Sequence, residues 1–170
     1  MELLDLGRSN ITKKIMKKTD KFKVKGSYTY TVYKDGKVVR KSPEIENLVL
    51  LNDNPSGLYI LMSHLLGTDT NSLKITGASI GTGTTTPTIS DTSLETPVLT
   101  NIPIAQKSRE ADDEISFVFF VNNKELANED YTEFGLEVGD YLFTRSLIEP
   151  TFTKSDGEDF RLDYNIKIIT

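Results

Sequence analysis

Apolar and polar residues alternate with a period of two over most of this chain from Phe22 onward, which is the signature of half-buried strands. In the first such run, Tyr28, Tyr30 and Val32 share one face, and Thr29, Thr31 and Tyr33 share the other. Asp35-Gly36 follows, and then Val38-Val39-Arg40. This spacing predicts a hairpin with a type I′ turn, ended by Pro43. Strands are likewise predicted over residues 73–76 and 98–105, where Pro103 suggests an edge or a bulge. Residues 115–121 are apolar on both faces and predict a central strand. Residues 131–138 and 141–148 predict a second long hairpin turning at Gly139-Asp140. In the last run Phe160, Leu162, Tyr164, Ile166 and Ile168 alternate with Arg161, Asp163, Asn165 and Lys167, so the former set is expected to face inward.

One stretch breaks the period. Leu58, Leu61, Met62, Leu65 and Leu66 follow helical spacing, after Asn52-Asp53-Asn54-Pro55 and before Gly67. These signals predict a helix over residues 55–66, with one face covering a sheet or closing the end of a sandwich. Residues 47–51 are apolar and ambiguous in type.

Between the strands at 73–76 and 98–105 lies Ser79-Ile80-Gly81-Thr82-Gly83-Thr84-Thr85-Thr86-Pro87. The glycines permit close approach of another backbone. Pro87 restricts Thr86 to extended geometry, and Asp91 and Thr92 are turn formers. The pattern predicts a long ordered surface connection with no side chain suited to catalysis. Seven to nine strands at hairpin spacing with one helix predict an all-β fold: an antiparallel, jelly-roll-like β-sandwich over residues 27–170, preceded by a basic N-terminal arm over residues 1–26.

Charge sharpens that division. The 170 residues carry a net charge of −5. Residues 1–41 hold twelve Lys or Arg against four Asp or Glu, a net +8, whereas the remainder carries −13. A basic end and an acidic body suit contact between neighbouring copies. The absence of cysteine removes disulfides and thiolate metal sites. Residues 1–26 lack the apolar stretch of a signal peptide, and no apolar run reaches the length of a membrane span.

Candidate chemistry is sparse. His64 is the single histidine and lies just off the apolar arc of the predicted helix, with no spaced ligands. The glycine-threonine run lacks the third glycine of a dinucleotide fingerprint and the Lys-Ser/Thr pair of a phosphate loop. Asn52-Asp53-Asn54 and Asp112-Asp113-Glu114 gather oxygen ligands without the spacing of a calcium loop. Glu133 and Arg145 fall on strands predicted to pair; Glu133, beside Phe134-Gly135, reads as a buried polar residue fixing register, and a structural role is the favoured reading for both. Lys13, Lys14, Lys17, Lys18, Lys21, Lys23 and Lys25 could meet phosphates, but the acidic body and the lack of a reading motif argue against nucleic acid. No catalytic, cofactor-binding or metal-binding residue is assigned.

Three segments together resemble a known family: residues 47–49 with the helix to Gly67 and the run 75–94; Glu133-Phe134-Gly135-Leu136 with Leu142-Phe143-Thr144-Arg145; and residues 150–154 leading into Leu162-Asp163-Tyr164-Asn165-Ile166. They are similar to small β-sandwich virion proteins of tailed bacteriophages, of the tail, baseplate, collar and fibre-attachment type. The resemblance covers roughly residues 45–170. It implies a non-enzymatic structural component of the virion, made in the bacterial host cytoplasm. Such a component would act through self-association into a homo-oligomeric ring and through docking to other virion proteins. The alternative is a host-surface carbohydrate-binding domain of a tail fibre or baseplate.

Overall fold

The computed structural model describes residues 23–50, 57–68 and 74–169. Ten strands and one helix follow in the order β1 (Lys23–Lys34), β2 (Lys37–Lys41), β3 (Ile45–Val49), α1 (Gly57–Leu66), β4 (Gly77–Gly81), β5 (Pro97–Ala111), β6 (Glu114–Val121), β7 (Asp130–Val138), β8 (Tyr141–Leu142), β9 (Thr144–Thr153) and β10 (Glu158–Ile169). The all-β character with one helix agrees with the sequence pattern. The architecture does not: eight strands close into an antiparallel barrel in the order β1-β10-β6-β5-β4-β7-β9-β3 and back to β1. A sandwich or jelly roll is therefore replaced by a closed barrel. The closing step is the ladder between the first and last strands, which runs without a break from Lys23↔Ile169 to Lys34↔Glu158. Closure gives each of these strands a neighbour on both sides, over at least part of its length. The short β2 and β8 pair outside this circuit, with β1 and β7.

An eight-stranded barrel has an interior just wide enough to be filled by side chains. Here aromatic rings fill it. Tyr28, Tyr30, Phe119, Tyr131, Phe134, Phe152, Phe160 and Tyr164 are all buried. Phe152 and Phe160 stack with centroids 4.4 Å apart, and Tyr28 lies 5.2 Å from Phe134. The β1–β2 turn has Asp35 at φ 51° and Gly36 at φ 73°, the two left-handed residues that a type I′ turn requires.

Several local expectations change. The strand expected at residues 73–76 is absent over 74–76, the part described, and lies instead at β4, Gly77-Ala78-Ser79-Ile80-Gly81, all buried and all small except Ile80. Glycine is needed at the end of that strand, where a Cβ on Gly81 would fall on the Thr96 carbonyl and against Glu133 Oε1. β5 extends to Ala111, well past the predicted end at residue 105. Pro103 is not on an edge, since β5 pairs on both sides; the strand is bulged instead, with Asn101 at φ 56°. β6 buries Phe117, Phe119 and Val121; Phe120 is exposed because a barrel strand has one inner face, and Ile115, on the same face as the buried three, is exposed near the end of the strand. Ile168 is also exposed, while Phe160, Leu162, Tyr164 and Ile166 point inward as expected.

Helix α1 ends as predicted. Gly67 adopts φ 68°, its N–H donates to the His64 carbonyl at 3.1 Å, and Thr68 N–H donates to the Ser63 carbonyl at 3.0 Å. These bonds form a left-handed glycine cap. Its predicted apolar face is not covered as expected: Met62, Leu65 and Leu66 are exposed and Leu61 is half-buried. The expected N-terminal cap at residues 52–55 and the arm over residues 1–22 lie outside the described residues, whereas Lys23, Val24, Lys25 and Gly26 begin β1.

Candidate functional site

The inward set Phe134, Leu136 and Val138 places Glu133, Gly135 and Glu137 on the outer face of β7. Yet Glu133 is completely buried. The cover is the loop over residues 82–96, which leaves β4, crosses the outer face of β7 and β9, and returns as β5. Leu94 from this loop packs with Leu50 and Leu142 in a small outer cluster.

Glu133 holds that loop by its backbone. Its Oε1 accepts from Thr96 N–H at 2.7 Å and Gly83 N–H at 3.1 Å. Its Oε2 accepts from Glu95 N–H at 3.0 Å and from Arg145 Nε at 3.0 Å. A buried anion is tolerable when charge-assisted donors replace water in this way. In the β7–β9 register Glu133 faces Leu147, so Arg145 is its diagonal neighbour on the same face. Arg145 is also buried and reaches further into the loop: to Asp91 Oδ2 at 2.6 Å, and to the Thr85 carbonyl at 3.3 Å and Oγ1 at 3.2 Å. Burial opposes its charge, and the hydrogen bonds to Asp91 and Glu133 outweigh that, so its pKa is raised.

Two loop carboxylates complete the latch. Glu95 accepts from Thr84 N–H at 2.7 Å and Thr85 N–H at 2.8 Å. Asp91 accepts from Thr88 N–H at 3.0 Å and Oγ1 at 2.7 Å. Burial pushes the Asp91 carboxyl up, but Thr88 and Arg145 pull harder and leave it below its ordinary value. The donors of Thr85 and Thr84, with Arg145, hold Glu95 below its own. The glycines of the run matter for contact: a Cβ on Gly83 would lie 2.5 Å from Glu133 Oε1.

Beside the latch the barrel wall is parted. β3 and β9 pair only at Leu48↔Arg145 and Val49↔Thr144. Beyond that point tyrosines bridge the gap from inside. Tyr28 Oη donates to the Leu147 carbonyl at 3.3 Å and accepts from Ser146 Oγ at 3.0 Å. Tyr30 Oη donates to the Pro150 carbonyl at 2.9 Å. Outside these bridges lies an open groove of about 550 Å³, walled by β3, β9 and Pro87 of the loop. Its floor includes Ile45 and Leu48, and Glu44, Glu46 and Glu149 line it.

No protein-family model, curated protein or solved structure matches this chain.

The other candidates stand apart from it. His64 is half-buried on α1, and its Nε2 has no partner among the described residues. Asn52-Asp53-Asn54 lies outside the described residues. Asp113 and Glu114 face Lys167 at 3.7 and 3.4 Å at the rim of the barrel, and Asp112 meets Arg109. Of the basic residues, Lys25 pairs with Glu46 at 2.6 Å. Glu133 is buried on the strand beside Arg145, as expected, and the structure adds the ion pair between them at 3.0 Å. What the pattern did not indicate is that Asp91 and Glu95 join it; the signal available was two carboxylates inside a loop rich in N–H donors and hydroxyls. Among the described residues, no group of His, Asp or Glu is arranged to hold a metal ion.

Proposed function

We propose that this chain is a non-enzymatic structural component of a tailed-phage virion, working by self-association and by docking to other virion proteins. The observation that carries the reading is the latch. The largest ion-paired cluster among the described residues, Glu133, Arg145, Asp91 and Glu95, is committed to fixing the loop over residues 82–96. A carboxylate whose two oxygens already accept backbone and guanidinium donors is poorly placed to take a proton from a substrate. What the latch yields is a rigid outer surface, which an assembly interface needs. The division of charge between residues 1–41 and the rest supplies complementary faces for a head-to-tail ring.

The test is the mass of the full chain and of a chain lacking residues 1–20, measured at low and high salt. An oligomer that dissociates on either treatment is the expected result. An oligomer unchanged by both overturns the charge-driven ring. Mass spectrometry of purified particles encoding the chain should find it at a fixed copy number.

The carbohydrate reading draws on the same groove, where Glu44, Glu46 and Glu149 could accept from sugar hydroxyls. The groove's lining lacks an aromatic ring for stacking. Glycan-array binding that survives removal of residues 1–20 would favour this second reading.

A further inference from the structure

The groove between β3 and β9 has a composition that selects its occupant. Its floor is aliphatic, through Ile45 and Leu48, and Pro87 closes one side. Its lining carries Glu44, Glu46 and Glu149. Among the described residues Glu44 and Glu149 form no ion pair. The one cation in the lining, Arg145, is buried and already neutralised by Glu133 and Asp91. An acidic groove with an apolar floor fits a basic segment that carries spaced aliphatic side chains.

The chain itself contains such a segment. Residues 8–21 include Arg8, Lys13, Lys14, Lys17, Lys18 and Lys21 against one acid, Asp20, with Ile11 and Ile15 between. They immediately precede β1, which is the neighbour of the groove wall β3. The contact chemistry is already seen once at that wall, where Lys25 of β1 meets Glu46 at 2.6 Å.

We propose that residues 8–21 dock in this groove, with lysines against Glu44, Glu46 and Glu149 and with Ile11 and Ile15 against Leu48 and Ile45. This deepens the assembly reading by naming its surface, and only the supply of the segment from a neighbouring copy rests on that reading. Each docked segment would fix one copy against the next, so the same contact repeated around a ring would close it.

Because the natural chain has no cysteine, disulfide trapping reports the contact without background. Lys14→Cys combined with Glu44→Cys is oxidised at low salt and compared with Lys14→Cys combined with Glu110→Cys. Glu110 is an exposed position on β5, outside the groove. The groove pair should form its bond at least about tenfold faster, as expected when docking raises the effective concentration. That advantage should fall several-fold at high salt. It should also fall when Glu46→Gln and Glu149→Gln are added to the trapping pair, in a variant whose circular dichroism remains that of the folded barrel. Equal rates for the two pairs would overturn the proposal. A bond between chains, seen as a covalent dimer or ladder on a non-reducing gel, supports both the docking and the ring. A bond within one chain, seen as a faster-migrating monomer, supports the docking but overturns the ring.

Discussion

Glu133 is a carboxylate with no exposure to water, and its cost is offset only while its donors stay in place. Three are backbone N–H groups of the loop and the fourth is Arg145 Nε. Arg145→Met removes the counter-charge and leaves the anion buried, so it should lower the unfolding free energy by about 3–5 kcal/mol. Glu133→Gln keeps the shape but turns an amide NH₂ towards groups that themselves donate, at an expected cost of about 1–3 kcal/mol. Urea denaturation followed by circular dichroism measures both. The double variant should cost less than the sum, because the two side chains share one network; strict additivity would mean that the pair is not coupled. The placement of Glu133 and Arg145 on adjacent strands was legible in the sequence, because both fall within a predicted hairpin; the ion pair between them was not, because it depends on the register of that hairpin. Asp91 was legible only as a turn former, which it is through Thr88, since nothing in a loop's sequence says which strand it will cross.

The loop over residues 82–96 is the element these contacts create. Asp91 and Glu95 both titrate below their ordinary values, so each binds protons less readily in the folded chain than in the unfolded one. The stability they contribute is therefore present above the ordinary carboxylate range, about 4. It is lost as pH falls through their lowered folded values. Hydrogen exchange should show the Thr84 and Thr85 amides, which donate to Glu95, protected at pH 6, with protection factors that drop towards pH 3 before those of β10 do. Loss of protection in the loop and in β10 at the same pH would mean that the loop has no separate acid response. Elements differed in how readily the pattern gave them away. The β1–β2 hairpin was legible because Asp35-Gly36 matches the backbone that the turn requires. α1 was legible as a helix with its glycine stop, but its covering was not, because periodicity identifies an apolar face and not a partner. β4 was misplaced because Gly77-Ala78-Ser79-Ile80-Gly81 has poor strand propensity; it is a strand through tertiary pairing with β5 and β7.

At the scale of the whole molecule, an inner apolar face alternating with an outer polar one is common to sandwiches and barrels, so the pattern gave the all-β class without the closure. Closure is a contact between the two ends of the described chain, the most non-local pairing it contains. It has a direct topological consequence. Lys23 and Ile169 are register partners on adjacent antiparallel strands, so they lie close enough for a linker of a few residues to join them. A circular permutant that links residue 169 to residue 23 and opens the chain in the exposed 122–125 turn, between β6 and β7, should keep the barrel and its circular dichroism. Opening it within residues 84–88 should do more damage, because those residues carry donors to Glu95 and Asp91 and take up Arg145. The urea midpoint of the second permutant should fall below that of the first. If the 122–125 permutant failed to fold while the 84–88 permutant folded, both the closing ladder and the latch would be misassigned.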